Sequence, residues 1–219
     1  NIELVFQGLD TYANVSINGK PVLDADNMFR TWRVSVKDLL KRGENVLQIT
    51  FRSPINEILP LMAKLDYELP ASNDQGEKTS PYTRKAPYQY GWDWGPRFVT
   101  SGIWRPVELD AWDNARINDL EIKQNSLSKE KADLTSVVEI NATAPTDATI
   151  EIRNAADNKV LATKPATLTV GNNKVAVDFS IANPKLWYPV GLGEQALYTF
   201  KADLVVNKKT IDERSKRTG

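Results

Sequence analysis

The chain contains no cysteine and no histidine in its 219 residues. Without cysteine there can be no disulfide, no thiolate nucleophile and no cysteine metal site. Without histidine the commonest general base, the Ser-His-Asp triad and nearly every zinc site are excluded as well. Any chemistry would have to run on Asp, Glu, Tyr or Lys. The lack of disulfides fits a cytosolic, periplasmic or extracellular setting alike, because a domain with a sufficient core does without them. A net charge is also missing, since Lys plus Arg and Asp plus Glu number 28 each. No long-range field then favours nucleic acid, an anionic membrane or an acidic substrate, and a neutral ligand is the default. No apolar run approaches the ~20 residues that a membrane-spanning helix needs. The opening Asn1-Ile-Glu-Leu-Val-Phe lacks the basic region of a signal peptide and reads at once as a strand, as though the chain began inside a domain.

What is present is the composition of a folded protein, 41% apolar and 26% charged, long enough for two domains or one large β domain. Ile2, Leu4 and Phe6 alternate with Glu3, Val5 and Gln7, the period of a half-buried strand. Tyr12 to Ile17 and Lys20 to Leu23 flank Asn18-Gly19, the strongest short hairpin signal, because a type I′ turn needs positive φ at both central residues. Strands are also expected around Trp32 to Val36, from Val46 to Phe51 and from Trp104 to Leu109, with a helical turn at Asp38–Gly43. Ser53-Pro54 opens a helix whose Ile55, Ile58, Leu59 and Met62 form one apolar face, and Pro60 keeps it short or kinked. From Tyr67 to Ser80 the chain is polar and turn-rich, as in a mobile surface loop.

Asp110 to Asn114 marks a boundary, placing one domain at 1–112 and a second at 113–219. In the second, strands are expected at 117–122, 134–140, 148–153, 160–163, 167–170, 174–181, 197–206 and 210–214. Short strands punctuated by Gly, Asn and Asp at this rhythm suggest an immunoglobulin-like sandwich. The fold class is therefore all-β. Trp32, Trp104 and Trp187 are expected in the cores. The sequons at Asn14 and Asn141 lie in or near expected strands and carry no assignment.

The most informative stretch is Arg84 to Leu109, which holds Trp92, Trp94 and Trp104 among Tyr88, Tyr90, Lys85, Arg97 and Arg105, broken by Gly91, Gly95, Pro87 and Pro96. Core strands avoid Pro and Gly, so this is a fixed aromatic loop. Rings beside charged donors and acceptors suit a sugar, whose C–H faces stack and whose hydroxyls need hydrogen bonds once desolvated. Asp93, flanked by Trp92 and Trp94, is the leading candidate for binding, with Lys85, Arg97 and Tyr90 as possible support. The alternative is that Asp93 caps its own turn. In an extended segment both Trp rings would point away from Asp93, and only a turn at Gly91 or Gly95 would bring a ring beside it. Glu57, Asp93, Glu108 and Asp110 have no spacing that forces a catalytic pair, and a lone Asp93 is weak evidence for a metal site. No catalytic residue, metal or cofactor is assigned.

The run Gly91-Trp-Asp-Trp-Gly-Pro96 followed by Ser101-Gly-Ile-Trp-Arg-Pro-Val107 resembles the end of the first domain of glycoside hydrolase family 2 enzymes, and in this version the β-mannosidases among them. Gly8 to Gly19, Asn183 to Tyr198 and Ser215 to Gly219 resemble the family in the same order, so the likeness covers nearly the whole chain. It implies a jelly-roll, galactose-binding-like sandwich followed by an immunoglobulin-like one. It further implies a (β/α)8 catalytic barrel of the same polypeptide as partner, and a β-mannoside as the sugar that Asp93 touches. The catalytic glutamates of the family lie on that barrel, so the chain alone is expected to be inert. Alternatives are the same portion of a β-galactosidase or β-glucuronidase, a structural spacer, or a free-standing carbohydrate-binding module with Trp92, Trp94 and Tyr90 as a coplanar platform.

Overall fold

The computed structural model describes residues 1–219, which divide into two compact units, Asn1–Ala111 and Trp112–Gly219. The first contains β1 (Ile2–Phe6), β2 (Leu9–Asp10), β3 (Tyr12–Ile17), β4 (Lys20–Asp26), β5 (Trp32–Ser35), β6 (Leu47–Arg52), helix α1 (Pro54–Met62), β7 (Gly102–Ile103) and β8 (Val107–Ala111). Strands β5-β1-β8 and β4-β3-β6 form two antiparallel sheets, with β2-β7 as a short third. One core joins them: Leu4 and Phe6 from β1 meet Ala13, Val15 and Ile17 from β3, with Leu9, Ala25 and Val36. Asn18 and Gly19 turn the β3-β4 hairpin with φ of 51° and 79°, the positive pair that a type I′ turn requires.

Helix α1 begins as expected, the Ser53 hydroxyl accepting from the Asn56 amide and Pro54 filling the first turn. Its buried face is narrower than the periodicity implies. Ile58 is buried, but Leu59 and Leu61 are exposed, because the helix ends at Met62, too soon to lay a second apolar turn on the sandwich.

The second unit pairs a three-stranded sheet with a four-stranded one, every neighbour antiparallel. Its strands are β9 (Ala115–Leu127), β10 (Lys131–Ala142), β11 (Thr146–Asn154), β12 (Val160–Leu168), β13 (Gly171–Ala182), β14 (Tyr198–Val206) and β15 (Lys209–Thr218). They are ordered β13-β10-β9 and β12-β11-β14-β15. Along β10 every second residue from Ala132 to Ala142 is buried, the signature of a strand with one face in the core. Ile150, Ile152 and Leu204 fill the opposite sheet, and Phe179 meets Phe200 edge-on at 5.0 Å. The segments 160–163 and 167–170, expected as two strands, are bridged by one β12 that ends at Leu168, since Pro165 sits opposite Thr149 on an edge strand where it costs no inner ladder bond.

Two of the three tryptophans assigned to the cores lie outside them. Trp104, between β7 and β8, is 40% exposed and Trp187 is 47% exposed, while Trp32 is packed partly into the first core. Trp104 instead closes over the backbone at Gly8, donates its indole N–H to the Met28 carbonyl at 2.9 Å and stacks on Arg105. A ring with a polar edge is well used at such a boundary.

The first domain also encloses an ion pair. Lys85 Nζ lies 2.5 Å from Asp10 Oδ1 and donates to the Thr100 carbonyl at 2.6 Å, with both side chains almost wholly removed from solvent. Asp10 also accepts from Thr11 and, at 3.1 Å, from Gln89 Nε2. Burial lowers the Lys85 pKa, and the Asp10 carboxylate partly offsets this. Asp10→Ala or Lys85→Ala alone would leave a buried charge unpaired, so each is expected to cost the first domain about 3–5 kcal/mol, read from the urea midpoint. The double variant Asp10→Ala/Lys85→Met is expected to lose less than the two singles together. Single losses below about 1 kcal/mol would show that the pair does not hold this region.

Candidate functional site

The aromatic stretch leaves the first domain as a loop whose neck is closed at one point. Lys85 and Gln89 on the outgoing side reach Thr100 on the returning side, through the Thr100 carbonyl and through its hydroxyl, which donates to Gln89 Oε1 at 2.7 Å. After a helical turn at Pro87–Tyr90, Gly91 reverses the chain at φ 105° with the Asn73 carbonyl pressed against it; a Cβ there would lie 3.3 Å from that oxygen. The next four residues close a tight turn, with the amides of Trp92 and Gly95 each donating to the other's carbonyl at 3.2 Å. Asp93 and Trp94 form its tip.

This turn decides the question of the rings. The segment is not extended, so Trp92 and Trp94 are not parallel on one side; they meet edge to face, centroids 6.0 Å apart at 76°. Asp93 is exposed and its carboxylate makes no hydrogen bond, neither to its own turn nor to Lys85, Arg84 or Arg97. A coplanar Trp92, Trp94 and Tyr90 platform is not formed, because the Trp rings are crossed and Tyr90 is buried.

The residues expected to support Asp93 make their bonds elsewhere in the domain. Arg97 donates from Nε to Asp74 Oδ1 at 3.1 Å, pairs with Glu77 at 2.6 Å and lies 5.9 Å from the centre of the Tyr90 ring. Gly76 is packed on that guanidinium so closely that a Cβ would stand 2.6 Å from it. The Asp74 side chain has no solvent exposure and accepts two further bonds, from the amides of Gly76 and Ser80 at 3.2 and 3.1 Å. Burial raises the Tyr90 pKa, keeping the phenol neutral under the arginine. Lys85 belongs to the neck and pairs with Asp10. Asp10 and Asp74 organise the loop, yet neither was singled out from the sequence. Only the Asp74-Gln-Gly76 run, a local Asx-turn composition, hinted at one of them.

The other carboxylates considered as a catalytic pair each have a partner of their own. Glu57 is held by Arg52 at 3.0 Å, Glu108 accepts from Gln7 at 2.9 Å and Asp110 is held by Arg33 at 2.9 Å. No group of three or more acidic side chains is close enough together to hold a metal ion. Tyr88, Trp94 and Phe98 of this stretch are exposed, the last two at 84% and 67%.

Comparison with known proteins matches residues 1–105 to the family model described as the glycosyl hydrolase 2 galactose-binding domain-like domain. Residues 115–219 match the model for glycosyl hydrolases family 2. The chain is 36% identical, over 99% of its length, to beta-mannosidase B of Thermothelomyces thermophilus and 35% identical, over all of it, to beta-mannosidase B of Aspergillus flavus. It covers 25% and 26% of those two proteins, and so spans about a quarter of the curated relatives it matches. Among solved structures, the beta-D-mannosidase of Dictyoglomus thermophilum aligns with the whole chain at a TM-score of 0.88 and 34% identity, over 27% of its own length. The chain belongs to glycoside hydrolase family 2, as the N-terminal galactose-binding-like and immunoglobulin-like part of a β-mannosidase-like protein.

Proposed function

We propose that this chain is the non-catalytic N-terminal portion of a retaining exo-β-mannosidase, packing on a catalytic barrel of the same polypeptide and lending Asp93 to the pocket that holds the terminal mannose. The observation that carries this reading is the Asp93 carboxylate, raised on a braced turn with no bond of its own. A turn-capping Asp spends its oxygens on nearby amides. Here they remain free for sugar hydroxyls, to which a charged acceptor binds more strongly than a neutral one. The exposed Trp94 and Phe98 rings support docking, because large apolar side chains left open on one loop offer a partner surface to cover. Glu57, Glu108 and Asp110 each have a separate partner, which supports placing the nucleophile and the acid/base on the barrel.

In the complete enzyme, Asp93→Ala is expected to lower kcat/KM for a chromogenic β-mannoside about 100-fold, or ~2.7 kcal/mol of transition-state binding, while the circular dichroism spectrum is preserved. The 219-residue chain alone should leave that substrate intact. Wild-type activity in the variant, or turnover by the chain alone, would sink the reading. Asp74 never reaches the sugar in this account, so Asp74→Ala should act through the turn. We expect a smaller loss of about tenfold, carried by kcat more than by KM and partly restored in Asp74→Asn, whose single side-chain oxygen still accepts from one of the two amides. Equal losses in both Asp74 variants would argue against that positioning role.

A further inference from the structure

Between β13 and β14 the second unit carries a braced hairpin. Trp187 and Gln195 pair across it, the Tyr188 amide donates to the Glu194 carbonyl at 2.9 Å, and the Leu192 amide donates to the Pro189 carbonyl at 3.0 Å. Gly191 supplies a positive φ of 89° inside that four-residue turn. The Gln195 side-chain amide donates to the carbonyls of Tyr188 and Gly193 at 3.0 and 2.7 Å. Gly193 lies so close to the Tyr188 ring that a Cβ would stand 2.7 Å from it. This fixed hairpin has an apolar tip, Val190 being 89% exposed and Leu192 75%, with Trp187, Tyr188 and Leu197 also exposed. We infer that the hairpin is the element by which the second unit docks onto the catalytic barrel of the same polypeptide, Val190 and Leu192 entering an apolar recess of that barrel. The inference rests on the reading, given above, that such a barrel packs on this chain.

Single apolar side chains on a surface need no explanation, but this tip differs in composition and in rigidity. From Leu186 to Gly193 there is no charged residue, although 26% of the chain is charged, and Lys185 and Glu194 flank the run. An uncharged centre with a charged rim is the composition of an interface. The bracing gives the tip one shape before any partner arrives, which lowers the ordering cost of docking. The occupant follows from where the polypeptide continues. The chain makes up 25% of its Thermothelomyces thermophilus relative as the N-terminal part, so in that relative the remainder follows the position of Gly219. Gly219 lies at the base of the hairpin: a Cβ there would stand 2.7 Å from the Leu197 side chain and 3.3 Å from Trp187 Cβ. Gly219 and Trp187 also line one narrow slot with Leu127 and Leu186. A segment leaving residue 219 therefore starts against exposed apolar side chains. A short tether keeps what it leads to at a high effective concentration there, an advantage that neither a separate protein nor a second copy has.

The test puts the photoreactive residue p-benzoylphenylalanine in place of Val190 in the complete enzyme and maps the cross-linked peptides by mass spectrometry after irradiation. A cross-link to a peptide beyond residue 219 of the same polypeptide is expected. Cross-links between two copies, cross-links confined to residues 1–219, or none at all overturn the docking role. A matched pair of variants in the complete enzyme gives a second readout. Val190→Asp would bury a charge against the barrel and is expected to lower the melting midpoint by about 3 °C or more, whereas Val170→Asp, the same change at another exposed valine of this unit, should move it by less than about 1 °C. Equal shifts in the two variants would also overturn the inference. The photoreactive residue at position 94 separates this claim from the reading on which it rests. Cross-linking beyond residue 219 from position 94 but not from position 190 keeps the packing of the first domain and removes the hairpin; failure from both positions removes the packing itself.

Discussion

A carboxylate shut off from solvent must find its hydrogen bonds inside the fold, and Asp74 finds three. Those bonds close the 74–80 segment on itself and fix Arg97 above it. The fixed guanidinium in turn covers the Tyr90 ring and leaves room for nothing larger than glycine at position 76. The returning half of the aromatic loop is thereby anchored from below. The Asp10 and Lys85 pair does the same at the neck, where Lys85 also holds Thr100. Buried ion pairs add little net stability, since desolvation consumes most of the Coulombic gain. What they contribute here is a single loop conformation, in which the reciprocal Trp92 and Gly95 bonds form and Asp93 is left facing outward.

How far this was readable from the sequence depends on the distance over which each feature is determined. The β3-β4 hairpin was legible because two adjacent residues dictate it, and β10 only from Leu134 to Ile140, since Ser136 interrupts the apolar alternation of its buried face. The aromatic loop and its Asp93 were recognisable by composition alone. The bracing was not: Asp10 is 75 residues from Lys85 and Asp74 is 23 from Arg97, and nothing in the local polarity of either aspartate announces its burial. The polar stretch 67–80 read as mobile surface for that reason, although Asp74 and Thr79 lie inside. Trp104 and Trp187 were misplaced in the opposite sense, size being taken for burial. Both lie between strands rather than in them, and Trp104 spends its N–H on the Met28 carbonyl.

The same economy of rigid parts accounts for where the polar groups remain free. Across the loop region the charged side chains other than Asp93 that were considered as site residues, Lys85 and Arg97, are committed to partners within the domain. A group that is to act on a substrate from a neighbouring domain gains nothing from flexibility, because an error of about 1 Å in its placement can cost a factor of roughly 100 in rate. Holding such a group requires that its supports be locked by packing and hydrogen bonds while it makes none itself. Asp93 meets both conditions, with the locking done by Asp74, Arg97 and the glycines at 76, 91 and 95. On the proposed reading, the unpaired carboxylate is the part of the domain that the rest of the loop keeps available.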